Sequence, residues 1–483
     1  MRFIVILLLL LTSVAANAQQ MLGITAVKYS GTHSALLNPS TPVLSPLYLD
    51  INLATVNVSV ENNYIWMPAS ENKLGRLFKP ELLNGDIQAL KDDKLYSDYN
   101  TPGNKSGFID IRVVGPSFTM MLGRHSFGIS TGVRSVTTVN NIPQHLAKFL
   151  YEGMYFPEQH NIRYKHTGNM SFATLNWMET GLNYSYIVRA RNRNVISAGI
   201  TIKSLQGYAG AYLYSNYLDY MVMGYDTLII YKTDLRGGIS APIGYNDNQF
   251  NNGLIRGKGI GFDLGFTFEK KTKSSGWLNM YSKPCAQGYT PYVYRAGISL
   301  LDIGNINFTT NSLKLNVDNG SLYWPDIRSI GNTTVNKMIG TVSHQFFGDS
   351  TQMISDKKFR MWLPAALSMQ GDFAFRKNMF ISGNIILPLT NGNASVVSPA
   401  LVASGIRFEN KYLSIGMIAS LYDWQKLHIG VNGRFMNFFI GTENLISFLR
   451  LTDYTGTDLY AGIRISLNKG RCRQNTSRCP DFF

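Results

Sequence analysis

Apolar and polar residues alternate with a period of two along extended stretches of this chain. From residue 257 to 268, small or polar side chains occupy Gly257, Gly259, Gly261, Asp263 and Gly265, and large apolar ones occupy Ile260, Phe262, Leu264, Phe266 and Phe268. Successive side chains of a strand point to opposite faces, so this stretch predicts a strand with one polar and one apolar face. The same division recurs at residues 406–409, 413–421 and 459–467.

The length of these stretches distinguishes two all-β folds. Strands of soluble sandwiches usually have about five or six residues, whereas these patterned stretches run for about ten. Strands of about 9–11 residues, apolar outside and polar inside, are what a bilayer requires of a barrel. We therefore predict an all-β fold, a transmembrane antiparallel β-barrel of about 14 strands with an N-terminal plug segment and long extracellular loops.

The connections between the candidate strands support this topology. The predicted strands are 49–60, 108–122, 125–138, 170–190, 193–204, 256–270, 290–303, 357–374, 378–389, 398–409, 411–423, 425–435, 436–446 and 458–468. Even-numbered connections are short, at 123–125, 191–192, 376–377, 410 and 434, and the longest odd-numbered ones are 61–107, 139–169, 205–255 and 304–356. Barrels in outer membranes combine short periplasmic turns with long external loops. The connection at 271–289 is an exception, because it should be short.

Two of the long connections predict structure of their own. Apolar residues between Pro143 and Gly153 have the spacing of a short amphipathic helix. Residues 208–231 are rich in tyrosine and include the apolar run Thr227–Ile230. We interpret this second stretch as an additional hairpin above the membrane.

The N-terminal residues predict export. Arg2, an apolar run from Phe3 to Leu11 and the small residues around the Ala16-Asn17-Ala18 site are typical of a signal peptide covering residues 1–18. A retained helical anchor is the alternative interpretation. Residues 19–48 would then form the plug segment, 49–468 the outer-membrane barrel and 469–483 a periplasmic tail.

The plug prediction rests on the composition of residues 21–46. Pro39, Pro42 and Pro46 cannot donate to a strand ladder, yet the stretch is rich in apolar side chains that a solvated tail would leave exposed. Folding into the barrel lumen would bury them, with Asn38 capping a turn that Pro39 bends. A disordered leader is the alternative.

The net charge of the chain indicates which partners it can bind, and its cysteines indicate which covalent links it can form. The formal net charge is +15, which suits outer-membrane lipid and lipopolysaccharide headgroups, while the scattered basic residues and the export signal argue against nucleic acid. Cys472 and Cys479 are predicted to form a disulfide in an oxidising compartment, leaving Cys285 reduced. Metal binding by the pair is the less favoured alternative, because no histidine lies nearby. No cofactor is expected.

Charged residues fall on the predicted inward faces of several strands. They are Arg112, Arg134, Asp263, Arg295, Arg407, Glu409, Arg434 and Arg464, with Asp110 nearby in the same pattern. Arginine pairs bidentately with carboxylates and phosphates. Two interpretations remain: a lumen that selects anions or anchors the plug, and a solvated, mutually paired interior without a ligand.

Catalytic motifs were not found. The seven histidines are dispersed, and the chain has no Gly-x-Ser-x-Gly elbow, no His-Glu-x-x-His and no phosphate loop. The prediction is that the protein is not an enzyme and has no catalytic residue.

Several segments resemble known outer-membrane families. Residues 29–64 contain an Ala35-Leu36-Leu37-Asn38-Pro39 stretch between the signal peptide and the first strand, which resembles the long-chain fatty-acid transporter superfamily, where it forms part of a plug. With three further segments, the chain resembles more fully an uncharacterised Bacteroidetes-type outer-membrane family, a domain of unknown function: Ile142–Gly153, Arg295–Gly304 and Arg478-Cys479-Pro480. The resemblance implies localisation in the cell outer membrane and brings no established activity.

Two functional hypotheses follow. The first is a passive transporter or channel that admits small, including hydrophobic, solutes past the plug motif at Asn38 and Pro39. The second is a membrane platform for a secretion or surface-protein assembly, in which the long outer loops bind protein partners. Neither the substrate nor the partner is specified by the sequence.

Overall fold

Fourteen antiparallel strands follow one another around a closed ring in the computed structural model, which describes residues 21–66, 68–69, 97–98, 101–250, 253–272, 291–327, 334–390, 393–449 and 451–467. The strands are β1 Leu49–Asn62, β2 Lys105–Val114 with Ser117–Leu122, β3 His125–Ile142, β4 Arg163–Arg191, β5 Asn194–Met223, β6 Gly257–Lys271, β7 Tyr292–Phe308, β8 Phe359–Trp362 with Ala366–Arg376, β9 Met379–Pro388, β10 Leu401–Glu409, β11 Leu413–Tyr422, β12 Lys426–Phe435, β13 Phe438–Thr442 and β14 Gly456–Leu467. β14 pairs with β1, with Leu49 opposite Leu467, and this pairing closes the ring. The predicted barrel is confirmed.

The outer surface of the barrel is apolar and its interior is polar. On β6, Ile260 and Phe266 are each 59% exposed, whereas Asp263 on the other face is 2% exposed. On β10, Ile406 is exposed and Arg407 is buried. This arrangement reverses that of a water-soluble barrel, because charged residues are buried in the lumen and hydrocarbon side chains are exposed on the outside. Only an apolar surrounding removes the cost of exposing such a belt.

The two ends of the barrel differ in their connections. Tight turns join β2 to β3, β4 to β5, β8 to β9, β10 to β11 and β12 to β13, and we call this the short-turn end. The opposite end is the long-loop end. The predicted alternation is confirmed for these turns, although the last one lies at 436–437 rather than 434, because β12 continues to Phe435. The 271–289 connection lies largely outside the described residues.

Two strands extend beyond their predicted bounds of 170–190 and 193–204. β4 has 29 residues and β5 has 30. Beyond the ring, β5 turns at 224–226 into a strand at Thr227–Ser240, which pairs in turn with Ser312–Trp324. The predicted hairpin is therefore present. The interpretation of 205–255 and 304–356 as loops was wrong for these stretches, because cross-strand pairing continues the ladders outside the ring.

The helices are short and lie in the connections between strands or inside the barrel. They are α1 Leu22–Thr25, α2 Gln144–Glu152, α3 Val335–Phe347 and α4 Leu445–Phe448. α2 confirms the helix predicted between Pro143 and Gly153. α3 was not predicted. It begins after Thr334, whose side chain accepts a hydrogen bond from the Lys337 backbone N–H, and it ends at Gly348, whose φ is 72°. None of the described helices combines the length and hydrophobicity needed to cross a membrane.

One strand of the ring is shorter than predicted. β13 covers Phe438–Thr442 instead of 436–446, because the chain leaves the ladder and forms α4. A second irregularity lies between the two parts of β2, at Gly115 and Pro116. The Asn52 side chain on β1 donates hydrogen bonds to the carbonyls of Val114 and Gly115 there, which replaces ladder contacts that proline interrupts.

Candidate functional site: the lumen and the N-terminal segment

Residues 21–48, which we call the N-terminal segment, lie inside the ring. The segment contains α1 and two 3-10 turns at Gly31–Leu36 and Pro42–Leu44, and it has no strand before β1. Its apolar side chains are buried, including Met21, Leu22, Ile24, Leu37, Val43 and Leu44. The segment contacts strands on all sides of the lumen, from Glu409 near the short-turn end to Leu401 and Tyr422 near the long-loop end, so it fills much of the barrel interior.

Asn38 attaches the segment to three neighbouring strands. Its side-chain amide donates hydrogen bonds to the Phe266 carbonyl on β6 (3.2 Å), the Ile298 carbonyl on β7 (3.4 Å) and Gln370 Oε1 on β8 (2.9 Å). Its Oδ1 accepts from the backbone N–H of Ser40 at 3.0 Å, which closes a local turn around Pro39. One asparagine therefore joins the bend of the segment to the barrel wall.

Two wall glycines make room for this bend. A Cβ added to Gly265 would lie 2.1 Å from Asn38 Oδ1, and one added to Gly199 would lie 2.1 Å from the Pro39 carbonyl oxygen. The polar alternation of β6 places Gly265 on the lumen side, where the N-terminal segment leaves no room for a larger residue. The wall and the segment are in direct backbone contact here.

Carboxylates of the wall hold the backbone of the segment at other points. Glu409 accepts hydrogen bonds from the N–H groups of Lys28 (3.2 Å) and Tyr29 (2.9 Å). Asp50 accepts from the Thr32 N–H at 2.8 Å, and Glu443 accepts from the Leu22 N–H at 2.8 Å. Hydrogen bonds to a charged acceptor are stronger than neutral ones, so these three carboxylates tie the segment to β1, β10 and the end of β13.

A first network of buried ion pairs surrounds Asp302. Its carboxylate is 2.6 Å from Arg134 Nη1 and 2.6 Å from Lys203 Nζ. Lys203 also pairs with Asp263 at 2.8 Å, and Arg134 pairs with Asp110 at 3.3 Å. The network joins β2, β3, β5, β6 and β7 across the interior.

A second network of buried ion pairs includes Glu409, which also accepts hydrogen bonds from the N-terminal segment. Arg407 Nη2 is 2.5 Å from Asp372, and its Nε is 3.1 Å from Glu409. Glu269 pairs with Lys271 at 2.5 Å and with Arg295 at 2.6 Å. Because Glu409 also holds the segment, this network connects the wall arginines to the plug through a shared carboxylate.

The charged residues predicted to face inward all lie on the lumen side of the wall and are buried or half-buried. They are Arg112, Arg134, Asp263, Arg295, Arg407, Glu409, Arg434 and Arg464. Arg434 donates to the carbonyls of Asn410 (2.8 Å) and Lys411 (3.1 Å), and Arg464 donates to the Tyr29 carbonyl of the segment. Pairing with wall carboxylates and carbonyls accounts for most of these side chains. Cys285, Cys472 and Cys479 lie outside the described residues.

Sequence reasoning did not identify several residues of these networks, above all Asp302. Strict alternation from Arg295 places Asp302 on the outer face. A bulge opposite Asp263 turns it inward, with a φ of 54° and its N–H donating to Asp263 Oδ1 at 2.7 Å. The sequence did offer one signal of that bulge, because Asp302 is a carboxylate at a position where the alternation predicts an apolar side chain. Lys203, Glu269, Asp372 and Glu443 were also missed.

The long-loop end of the lumen has a different lining. Side chains of β3, β4, β5, β7 and β8 form an apolar cluster that includes Leu175, Trp177, Phe308, Phe359 and Met361. The interior contains a cavity of about 100 Å³ beside Glu61 and Tyr422, and others of about 30 and 20 Å³ against the N-terminal segment.

Comparisons with known proteins place the chain in a family. The sequence profile of a family described as "Family of unknown function (DUF5723)" matches residues 39–443. No curated protein matches the sequence. Among solved structures, the P. putida toluene transporter TodX is similar at 10% identity, with 95% of this chain and 99% of that chain covered and a TM-score of 0.41. The Ralstonia pickettii toluene transporter TbuX (10%, 92% and 98%, TM-score 0.40) and a Pseudomonas aeruginosa FadL homologue (10%, 94% and 99%, TM-score 0.39) are similar to the same degree.

Proposed function

Because the chain belongs to the family of unknown function DUF5723, we propose its function from the geometry of the barrel: an outer-membrane channel that admits small solutes when the N-terminal segment leaves the lumen. The observation that carries this proposal is that the lumen is occupied by the segment that precedes β1, and not only by the wall's own side chains. A segment outside the strand ladders can move without breaking any ladder between neighbouring strands.

The outer surface supports placement in a membrane. The exposed apolar side chains alternate with buried polar ones on successive strands, as on β6 and β14. In bacteria such barrels are typical of the outer membrane. A signal peptide at residues 1–18 would deliver the chain there and belongs to the same proposal.

The chemistry of the wall favours water-soluble solutes. Where the segment now lies, the wall presents hydroxyls, amides and ion pairs, including Asn183, Ser197, Thr267, Ser299, Gln370 and Arg407. An apolar solute would lose hydration without gaining comparable contacts along this wall. Small polar molecules are therefore the better candidates for passage, and the apolar cluster at the long-loop end would limit their size.

Deleting residues 22–40 tests the proposal. The deletion removes the Asn38 contacts and the backbone donors to Glu409, Asp50 and Glu443, while every ladder between the barrel strands is retained. We expect the deletion variant in proteoliposomes to admit small neutral and charged solutes at a rate at least tenfold above that of the full chain. Heat-dependent gel mobility would verify that the barrel has folded.

A matched control leaves the lumen unchanged. α2, at Gln144–Glu152, packs against the external parts of β4 and β5, and replacing it by a glycine-serine linker of equal length should not alter flux. If the folded deletion variant is no more permeable than the full chain, the channel proposal is wrong.

The external extension gives specific support to a second candidate, a platform for protein partners. At about 3.3 Å per residue, strands of 29 and 30 residues are about 95–100 Å long, whereas a bilayer requires only about 9–11 residues of each strand. α3 packs its Val335 and Ile339 on the outer sheet and stiffens it. Cross-linking on intact cells, with and without the hairpin at 213–237, would test this candidate: a protein partner lost with the hairpin supports it, and an unchanged pattern contradicts it.

A further inference from the structure

One cavity lies at the long-loop end of the lumen, where its lining residues Tyr422 and Phe108 share an apolar cluster with Leu22 of the N-terminal segment. It has a volume of about 100 Å³ and lies between the ends of β1, β2, β3, β9, β11 and β12 and the connection at 397–400. A single water needs about 10–15 Å³ on the same measure. The cavity is therefore large enough for a molecule with several polar groups.

The cavity contains polar atoms that have no hydrogen-bond partner in the described part of the protein. The Glu61 carboxylate is 3% exposed and neither of its oxygens accepts a hydrogen bond, although Lys426 Nζ lies at 3.6 Å and His428 Nε2 at 3.5 Å. The hydroxyl of Tyr422, which is 6% exposed, and the side-chain Nδ2 of Asn140 are also without a partner. Leaving a buried polar atom without a hydrogen-bond partner is unfavourable, so a ligand that supplies such partners has a driving force.

The shape of the wall around Glu61 is specific. Gly456 on β14 has no side chain, and a Cβ there would lie 2.5 Å from the Glu61 carboxylate. Tyr422 stacks on His428 with ring centroids 5.9 Å apart. Apolar side chains of Phe108, Pro388 and Pro399 form the other lining of the cavity. One part of the cavity therefore offers donors and acceptors, and another offers hydrocarbon.

We propose that this cavity binds a neutral polyhydroxylated molecule the size of a monosaccharide. A hydroxyl both donates and accepts, so it can satisfy the Glu61 oxygens, the Tyr422 hydroxyl and the Asn140 amide together. A cation would meet Lys426, and an anion would meet Glu61. A sugar ring also has apolar C–H faces that fit against Phe108 and the prolines. The proposal goes beyond passage through the barrel, since it concerns binding in a cavity that is present with the N-terminal segment in place.

Calorimetry on the full, folded protein tests the site. The probes are a panel of hexoses, pentoses and their methyl glycosides, with tetramethylammonium and inorganic phosphate as charged comparisons. We expect saturable millimolar binding of at least one sugar and none of either ion. Tyr422→Phe removes one hydroxyl and should weaken sugar binding roughly fivefold, and Val397→Trp, which fills the cavity, should abolish it.

Tyr220→Phe is the matched control. Tyr220 also has a buried hydroxyl without a partner, but it lies on the external part of β5 and not in the cavity. This variant should bind sugar like the full protein. Absence of binding by every sugar, binding of tetramethylammonium or phosphate instead, or equal affinity in the Tyr422→Phe variant would overturn the proposal. Because flux is not measured, these outcomes are independent of the channel test.

Discussion

At the scale of single residues, equal exposure does not mean equal surroundings. Leu264 on β6 is 41% exposed and Leu213 on the external part of β5 is 42% exposed. Leu264 lies in the stretch of β6 that both of its neighbours pair with, while Leu213 lies beyond the ring, opposite Gly237 of the hairpin. The two positions therefore separate a lipid-facing surface from a water-facing one.

The first prediction uses this pair. Leu264→Arg should lower the free energy of unfolding by about 2–4 kcal/mol, because it places a guanidinium against hydrocarbon near the bilayer midplane. Leu213→Arg should change it by about 0.5 kcal/mol or less, as surface substitutions usually do. Urea titration of the protein folded into vesicles measures both. Equal costs at the two positions would contradict the placement of the membrane around the ring.

The second prediction concerns Gly265. Gly265→Ala brings a methyl group to within 2.1 Å of Asn38 Oδ1, and we expect a loss of about 1–3 kcal/mol in stability together with faster proteolysis of residues 21–48. Gly383→Ala on β9 is the control, because no atom lies within 4 Å of its added Cβ. A melting curve measures the stability of both variants, and a timed protease digest measures the cleavage of residues 21–48. Identical behaviour of the two variants would show that the segment does not press on β6 in solution.

At the scale of elements, the sequence predicts strands in the ring better than strands outside it. Within the ring, lipid on one face and lumen on the other impose strict alternation, so β6, β10 and β14 are evident from their letters alone. The external strand at Ser312–Trp324 faces water on one side and α3 on the other, and its pairing with Thr227–Ser240 contains register shifts at Val317 and Gly320. These irregularities hide the period of two.

The same argument explains which parts of the lumen could be predicted. Charges such as Arg407 and Glu409 follow the alternation of their strand, and so their inward direction follows from the neighbours. Asp302 depends on a bulge, and the contacts of Asn38 depend on three strands that are more than two hundred residues away in the chain. Local periodicity carries no information about such partners.

The third prediction concerns α2 and its pH dependence. The His145 ring stacks on Tyr164, with centroids 4.5 Å apart, and burial together with the nearby His166 lowers the pKa of His145. The unfolded region therefore binds a proton more readily than the folded one, so stability present above the ordinary histidine pKa of about 6.5 is lost as the pH falls below it. Hydrogen exchange of residues 144–152, corrected for intrinsic rates, should be faster at pH 5 than at pH 7. His145→Phe keeps the stacked ring without titration and should remove the difference; an unchanged difference would assign it to other groups.

At the scale of the whole molecule, the barrel combines a wall of paired strands with a segment that, apart from its peptide link to β1, is held by non-covalent contacts. Ion pairs such as Arg134–Asp302 join wall to wall, and they remain when the segment is absent. Glu409, Asp50 and Glu443 instead join wall to segment, and water can replace the backbone donors that they would lose. The wall networks do not depend on the segment, so we expect the barrel to keep its shape if the segment leaves the lumen.

The last prediction tests whether dissociation of the segment is the opening step. Ser40 Oγ lies 2.7 Å from Thr267 Oγ1 on β6, so a Ser40→Cys, Thr267→Cys double variant places two sulfurs within reach of a disulfide. With Cys285, Cys472 and Cys479 replaced by serine, oxidation should lock the segment and reduce solute flux into proteoliposomes to the background of empty vesicles, and a reductant should restore it. Each single cysteine variant, treated with the same oxidant, should keep its flux and serves as the control. If the locked and reduced forms of the double variant conduct equally, solutes do not pass through the space that the segment occupies, and the external extension with its protein partners becomes the better account of the function.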